Sequence, residues 1–193
     1  MKKIILISLL CSQSTWSLNI KCGGLFDAQS GKMVNDQVVT IENNKFVTVE
    51  PFKEQTIDYD FGEQFCLPGL MDMHTHLTFE INPNSYLEKY ELNAADVAYN
   101  AALFAQRTLN AGFTTVRDLG DSYNVSVSLK KAIKKGKVPG PRIFTAANSL
   151  ATTGGHAAPS HGYRDGLFPN PPPDYVLLNG PSDALTPVRN PSQ

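Results

Sequence analysis

Two histidines stand two residues apart at the end of an apolar run, in the segment LPGLMDMHTHL that covers residues 67–77. Side chains at alternate positions of a strand share a face, so His74 and His76 point the same way, about 7 Å apart along the strand. Imidazoles bind zinc-like divalent ions, and a bend at the strand end would bring two of them onto one ion. We predict His74 and His76 as metal ligands. Two ordinary strand histidines would have the same spacing, and spacing alone does not separate the two interpretations.

Three charged residues are placed to support such a pair. Asp72 shares the histidine face, deeper in the strand, and Arg117 and Asp118 end a second β-rich run, FTTVRDLG. We expect these three side chains to support the two histidines and not to bind the metal themselves. For Arg117 and Asp118, an ion pair or a strand-end cap away from the site is the alternative. No residue is assigned as the general base.

The elements after Leu67 alternate between strands and helices. The run 91–111 places small and apolar residues at steps of three and four, which predicts an amphipathic helix with Gly112 as its C′ residue. The predicted buried face consists of Ala95, Ala98, Ala102, Ala105 and Leu109. FTTVRDLG, VSVSLKKAIKKGK and PRIFTAAN then predict strand, helix and strand, the order of parallel βα units.

The segment before this region has a different pattern. Residues 18–66 contain short alternating runs separated by turns, which predicts a small β-domain. Cys22 and Cys66 fall in it, and an oxidising compartment would permit one disulfide between them. Two small buried thiols are an equal alternative.

The N-terminus indicates export. MKKIILISLLCSQSTWS has two lysines, a short apolar run and small residues at Thr15 and Ser17, which predicts a signal peptide over residues 1–17 and a periplasmic or secreted protein. A buried strand is the alternative, and a lipoprotein site at Cys11 is disfavoured by the bulky Leu10 before it. The apolar run is too short to span a bilayer.

Composition narrows the function classes. A formal net charge of −1 gives no field for nucleic acid or an anionic membrane surface, so neither is an expected partner. Hydrophobic residues at 41% and charged residues at 18% are typical of a globular chain that buries a core.

Several motifs in order carry a family resemblance. LPGLMDMHTHL, NAGFTTVRDLG, GPRIFTAANSLATTGGHAAP and NGPSDALTPVR resemble the metal-dependent amidohydrolase superfamily, in its imidazolonepropionase-like and Xaa-Pro dipeptidase-like branch. The resemblance implies an α/β fold: the N-terminal part of a (β/α)8 barrel over residues 67–193, about three βα units, after a small β-sandwich segment. It also implies a divalent metal centre of one or two ions, commonly zinc, held in part by His74 and His76.

The resemblance implies the activity as well. Such enzymes use the metal to activate water and polarise a carbonyl, and they hydrolyse C–N bonds in amides or small peptides such as dipeptides. The GGH loop lies near the substrate in this branch, so His156 is expected to contact it, whereas His161 is expected to be a solvated loop residue. The second strand ends in Arg117 and Asp118, where one of them could reach the site.

The length departs from this family pattern. A barrel of this type needs about 250 residues, and roughly half that number follows Leu67. We therefore expect a truncated chain, with open barrel edges that favour self-association. A non-catalytic fragment, one half of a split enzyme, and a metal-binding module without turnover stay open as alternatives.

Overall fold

The computed structural model describes residues 16–158, 164 and 176–184. They form an α/β chain that divides into two compact units between Pro68 and Gly69. The predicted signal peptide lies almost entirely outside the described residues and stays a prediction. No helix in the described part is long and apolar enough to cross a membrane.

The first unit is one four-stranded sheet. Its strands are β1 (Ser17–Asp27), β2 (Lys32–Glu42), β3 (Lys45–Pro51) and β4 (Tyr59–Cys66), in the order β3-β2-β1-β4. β1 pairs antiparallel with β2 and parallel with β4, and the register with β4 shifts between Cys22 and Gly24. A Cβ on Gly23, at this shift, would lie 2.1 Å from the Gly62 carbonyl oxygen, so only glycine fits.

The structure joins the two cysteines of this unit in a disulfide. Cys22 and Cys66 have Cα atoms 5.8 Å apart and close a loop with a sequence separation of 44. The Cys22 side chain is buried with Val38 and Val39. Of the two alternatives that the sequence left open, the disulfide is the one observed.

The second unit is built on a parallel sheet with the order β5-β6-β7: β5 (Leu70–Thr75), β6 (Phe113–Asp118) and β7 (Arg142–Thr145). The connection from β5 to β6 contains α1 (Ser85–Glu91) and α2 (Ala94–Asn110), and α3 (Val125–Lys134) connects β6 to β7. Further on, β8 (Leu150–Ala151) pairs with β9 (Val176–Leu177). The strand–helix–strand order predicted from the sequence is present.

One continuous apolar core holds this sheet to its helices. It consists of Leu77, Val97, Ala101, Ala105, Val116, Val125, Leu129 and Ile143. Val116 from β6 is fully buried at its centre. Because His76 directly precedes Leu77, the core fixes the chain immediately beside the histidine pair.

The predicted face of the long helix was partly wrong. Ala105 is buried, but Ala95 and Ala98 are exposed, and the buried face is completed by Val97 and Ala101. Small apolar residues occur on more than one side of α2, so their spacing did not define a unique face. The larger apolar surface of Val97 favours the observed one.

The predicted helix start was also wrong. The run from Glu91 does not form one helix, because α1 ends at Glu91 and α2 begins at Ala94. Asn93 is extended at the N-cap, with φ −88° and ψ 170°, and the Asp96 carboxylate accepts its backbone N–H at 2.9 Å. This local cap stabilises a new helix start. Gly112 follows α2 with φ +95°, as predicted for a C′ glycine.

Candidate functional site

The end of β5 brings the two histidines together. His74 is the exposed penultimate residue of the strand, and His76 is half-buried just beyond it. Their ring centroids are 5.5 Å apart, with ring planes at 64°. The predicted common face is therefore present. Whether the pair binds a metal stays a prediction.

A backbone carbonyl sets the orientation of the His76 ring. The His76 Nδ1 atom lies 2.8 Å from the carbonyl oxygen of Gly120, which can only accept, so Nδ1 carries the proton. The Nε2 atom then keeps its lone pair, which is the form that binds a metal ion. The Phe79 ring stacks on His76 with centroids 5.4 Å apart. The hydrogen bond therefore holds one edge of the His76 ring, and the Phe79 ring covers one of its faces.

The Asp118 carboxylate lies beneath this arrangement and is fully buried. Its Oδ2 atom accepts the Leu77 N–H at 2.7 Å, and its Oδ1 atom accepts the Gly120 N–H at 3.2 Å. Burial raises the pKa of Asp118, while these two N–H groups and the nearby His76 act to lower it. Of the three predicted supporting residues, Asp118 is the one joined to both residues that frame His76.

Asp72 and Arg117 act on the backbone of β5. The Asp72 Oδ1 atom accepts the His74 N–H at 2.9 Å, which fixes the chain at the first histidine. The exposed Arg117 donates from Nε to the Met73 carbonyl at 2.8 Å. Thr75 Oγ1 donates to the Arg117 carbonyl at 3.2 Å. For Arg117, these contacts tie neighbouring strands together and do not form the ion pair that the sequence left open.

The sequence interpretation missed a second carboxylate close to this site, the half-buried Asp121. Its Oδ2 atom accepts the backbone N–H of Ser126 near the start of α3, and its Oδ1 atom is buried without a hydrogen-bond partner among the described residues. Burial, with a smaller contribution from the nearby Asp118 carboxylate, raises the pKa of Asp121 to about 6, although the hydrogen bonds from Ser126 act to lower it. An acidic residue a few positions ahead of an amphipathic helix was the available signal.

The structure places His156 away from any strand. It is an exposed residue of the turn that follows β8, so its predicted contact with substrate stays a prediction. His161 lies outside the described residues.

The donor set fits part of a metal site. Two imidazoles on one strand end, one of them with its tautomer fixed, are typical zinc ligands. Among residues 16–158, 164 and 176–184, no group of three or more His, Cys, Asp or Glu side chains is placed to share one ion. A complete zinc site has at least three protein ligands, so His74 and His76 would be two of the ligands of such a site.

Residues 65–180 match the sequence model of the Amidohydrolase family. Ochratoxinase from Aspergillus niger is 31% identical over 91 residues, which are 47% of this chain and 18% of that protein. The chain therefore spans less than a fifth of this curated relative.

Solved structures show the same fold over more of the chain. A Xaa-Pro dipeptidase with methionine bound in its active site is 34% identical with a TM-score of 0.82, and the match covers 91% of this chain and 44% of that one. A prolidase solved with N-methylphosphonate-L-proline is 27% identical with a TM-score of 0.65, covering 81% of this chain and 37% of the other. The chain spans less than half of either.

Proposed function

We propose, from the premise that this chain belongs to the amidohydrolase family, that the protein is a metal-dependent hydrolase of C–N bonds in amides or small peptides. The family match confirms the resemblance found in the sequence. The observation that carries the proposal is the His74–His76 pair at the end of a parallel strand, with the His76 Nδ1 atom bonded to a backbone carbonyl.

The topology supports a barrel as the complete architecture. β5, β6 and β7 are parallel neighbours joined by helical crossovers, the arrangement that begins a (β/α)8 barrel. In that fold the active site forms at the carboxyl ends of the strands, where His74 and His76 lie. We further propose that the four-stranded sheet of the first unit is the segment of a small β-sandwich.

The residues of this chain have separate tasks in the proposed site. His74 and His76 would hold the ion, Asp72 fixes the backbone at His74, and the Gly120 carbonyl keeps the proton on Nδ1 of His76. When bound, a divalent ion, which we propose to be zinc, supplies Lewis-acid polarisation of a carbonyl and a nucleophile at neutral pH. His156 is proposed as a substrate contact.

Metal analysis tests the proposal directly. The purified protein, loaded with zinc and dialysed, is compared with His74→Ala, His76→Ala and, as a matched control, His156→Ala. We expect both strand variants to lose most of the bound zinc, because one imidazole holds an ion weakly, and His156→Ala to retain it. Equal metal content in all four proteins would contradict the proposal.

An activity assay addresses the substrate class. The Xaa-Pro dipeptidase similarity at 34% identity makes dipeptides with C-terminal proline the first substrates to test, followed by N-acyl amino acids. Zinc-dependent turnover that disappears in His76→Ala would support the hydrolase. Stoichiometric zinc without turnover would favour a metal-binding module, and turnover only on adding another polypeptide would favour a split enzyme.

Export and self-association are proposed on separate grounds. The Cys22–Cys66 disulfide supports an oxidising compartment, as the predicted signal peptide does. Mass spectrometry of the protein from its native cells would show an N-terminus near residue 18 if the signal is cleaved. Within the described residues, β5 and β7 are the edges of their sheet, which supports pairing between copies. Light scattering would show an oligomer.

A further inference from the structure

We infer that Asp118 is the positioning residue for His76, acting through Gly120 to fix which imidazole nitrogen is available to a metal. This inference rests on the metal-binding role proposed for His76. It assigns Asp118 no contact with metal or substrate.

One carboxylate holds both residues that frame the His76 ring. Leu77 directly follows His76 in the chain, and its N–H donates to Asp118 at 2.7 Å. Gly120 lies in the loop after β6, and its N–H donates to the other carboxylate oxygen at 3.2 Å. The carbonyl of this same Gly120 accepts the His76 Nδ1–H at 2.8 Å. Asp118 therefore connects the two sides of the hydrogen bond that orients the ring.

The turn that presents the Gly120 carbonyl is tightly constrained. Gly120 has φ +137°, and a Cβ on it would lie 2.0 Å from Ser149 Oγ, so neither the backbone nor the space admits a side chain. The preceding Leu119 donates its N–H to Thr75 at 3.0 Å and accepts from Ser149 Oγ at 2.9 Å.

The Gly120 carbonyl shares its peptide unit with the Asp121 N–H, which donates to the Ala147 carbonyl at 2.8 Å. The Asp118 carboxylate holds the preceding peptide unit through the Gly120 N–H, so the two contacts together direct the Gly120 carbonyl toward His76.

The consequence for His76 is chemical as well as geometric. The hydrogen bond made by one ring nitrogen decides which nitrogen keeps its lone pair. Partners behind a metal-binding histidine typically change metal affinity by about 10- to 100-fold when they are mutated. Loss of the Asp118 contacts would free the peptide unit before Gly120, so that Gly120 shifts relative to His76 and the Nδ1 proton loses its acceptor.

Asp118→Asn is the informative variant. The amide has the shape of the carboxylate, but an NH2 group replaces one of the two oxygens, so in the observed geometry it accepts from Leu77 or from Gly120 and not from both. Asp121→Asn is the matched control, because Asp121 is a half-buried carboxylate of the same loop that accepts from Ser126 instead. Each variant removes one negative charge, and the two substituted positions are three residues apart in the sequence.

The primary measurement is made without metal. Long-range ¹H–¹⁵N NMR at mildly alkaline pH reports which nitrogen of His76 carries the proton. We expect nearly complete Nδ1–H in the unmodified protein and in Asp121→Asn, and a substantial Nε2–H population in Asp118→Asn. An unchanged tautomer in a folded Asp118→Asn protein would overturn the inference.

Zinc affinity provides the second measurement. We expect Asp118→Asn to bind zinc about 10- to 100-fold more weakly than Asp121→Asn. If the unmodified protein binds no zinc while the tautomer still changes in Asp118→Asn, the proposed function fails and the positioning role stands. If zinc binds through His74 and His76 with equal affinity in both variants, the positioning role fails and the proposed function stands.

The unmodified protein gives a test that needs no variant. Should Asp118→Asn not fold, hydrogen-bond scalar coupling between the Leu77 amide nitrogen and the Asp118 carboxyl carbon, together with a slowly exchanging His76 Hδ1 proton, would support the inference. Absence of either signal from well-resolved spectra would overturn it.

Discussion

The two units of this chain differ in what stabilises each of them. The first is a four-stranded sheet whose third strand, β3, is exposed along its whole length, and its strands β1 and β4 are joined by the Cys22–Cys66 disulfide. The second has no disulfide among its described residues, and it packs a continuous apolar core between a parallel sheet and two helices. The difference indicates that a covalent link stabilises the first unit, whereas side-chain burial stabilises the unit that carries the histidines.

Removal of the disulfide should produce the largest effect and should be confined to the first unit. For a loop of this length, the variant with Cys22→Ser and Cys66→Ser should lose about 4 kcal/mol of unfolding free energy, because its unfolded chain is less restricted. Hydrogen exchange should show lost protection in residues 17–66 and unchanged protection in residues 113–145. Equal loss in both segments would contradict the comparison.

A core substitution should destabilise the second unit and not the first. Val116→Ala removes two methyl groups from a fully buried side chain and should cost about 2–3 kcal/mol in the second unit. Val47→Ala is the control, since Val47 is 52% exposed on β3 and should change stability by less than about 0.5 kcal/mol. Chemical denaturation of both variants measures the difference. A comparable loss of unfolding free energy in Val47→Ala would contradict the exposure of β3.

The second unit should also be sensitive to pH through Asp121. Its folded pKa of about 6 is above its ordinary value of 3.8, so the folded state binds the proton more tightly than the unfolded chain does. This contribution to stability is fully present below about pH 4 and is lost as pH rises to about 6, by roughly 2–3 kcal/mol.

Asp121→Asn tests this pH dependence. Relative to the unmodified protein, the variant should gain unfolding free energy as pH rises from about 4 to about 6, because it has no proton to lose there. Asp118, whose pKa is also raised, titrates in both proteins, and its repulsion of the Asp121 carboxylate is part of the difference between them. If the unfolding free energies of the two proteins changed with pH in the same way, Asp121 would not be the cause of the pH dependence.

The smallest effect is expected at the start of α2. Asp96→Ala removes the carboxylate that accepts the Asn93 N–H and lies near the positive end of the helix dipole, which should cost about 0.5–1 kcal/mol. Glu91→Ala, at the exposed end of α1, is the control. Thermal unfolding of the second unit should separate the two variants. No difference between them would indicate that core packing alone holds α2.

Particular residues show how far the sequence could be interpreted. The order of β5, α2, β6, α3 and β7 was predicted because apolar periodicity marks the elements and Gly112 marks the end of the long helix. The break after Glu91 was missed because a local cap at Asn93 interrupts an otherwise helical pattern. The buried face of α2 was partly misassigned because alanine carries too little apolar surface to define it.

Some features of the candidate site were likewise predictable from the sequence, and others depended on the tertiary structure. The sequence alone placed His74 and His76 on one face, because strand geometry fixes alternate side chains, and it indicated Asp118 as a supporting residue. Only the tertiary structure determined that Asp118 accepts from both Leu77 and Gly120, and that the Gly120 carbonyl accepts a hydrogen bond from His76 Nδ1. The contacts of His76 with Gly120 and of Leu77 with Asp118 join residues more than 40 positions apart, and such contacts exist only after two strands have paired in one register.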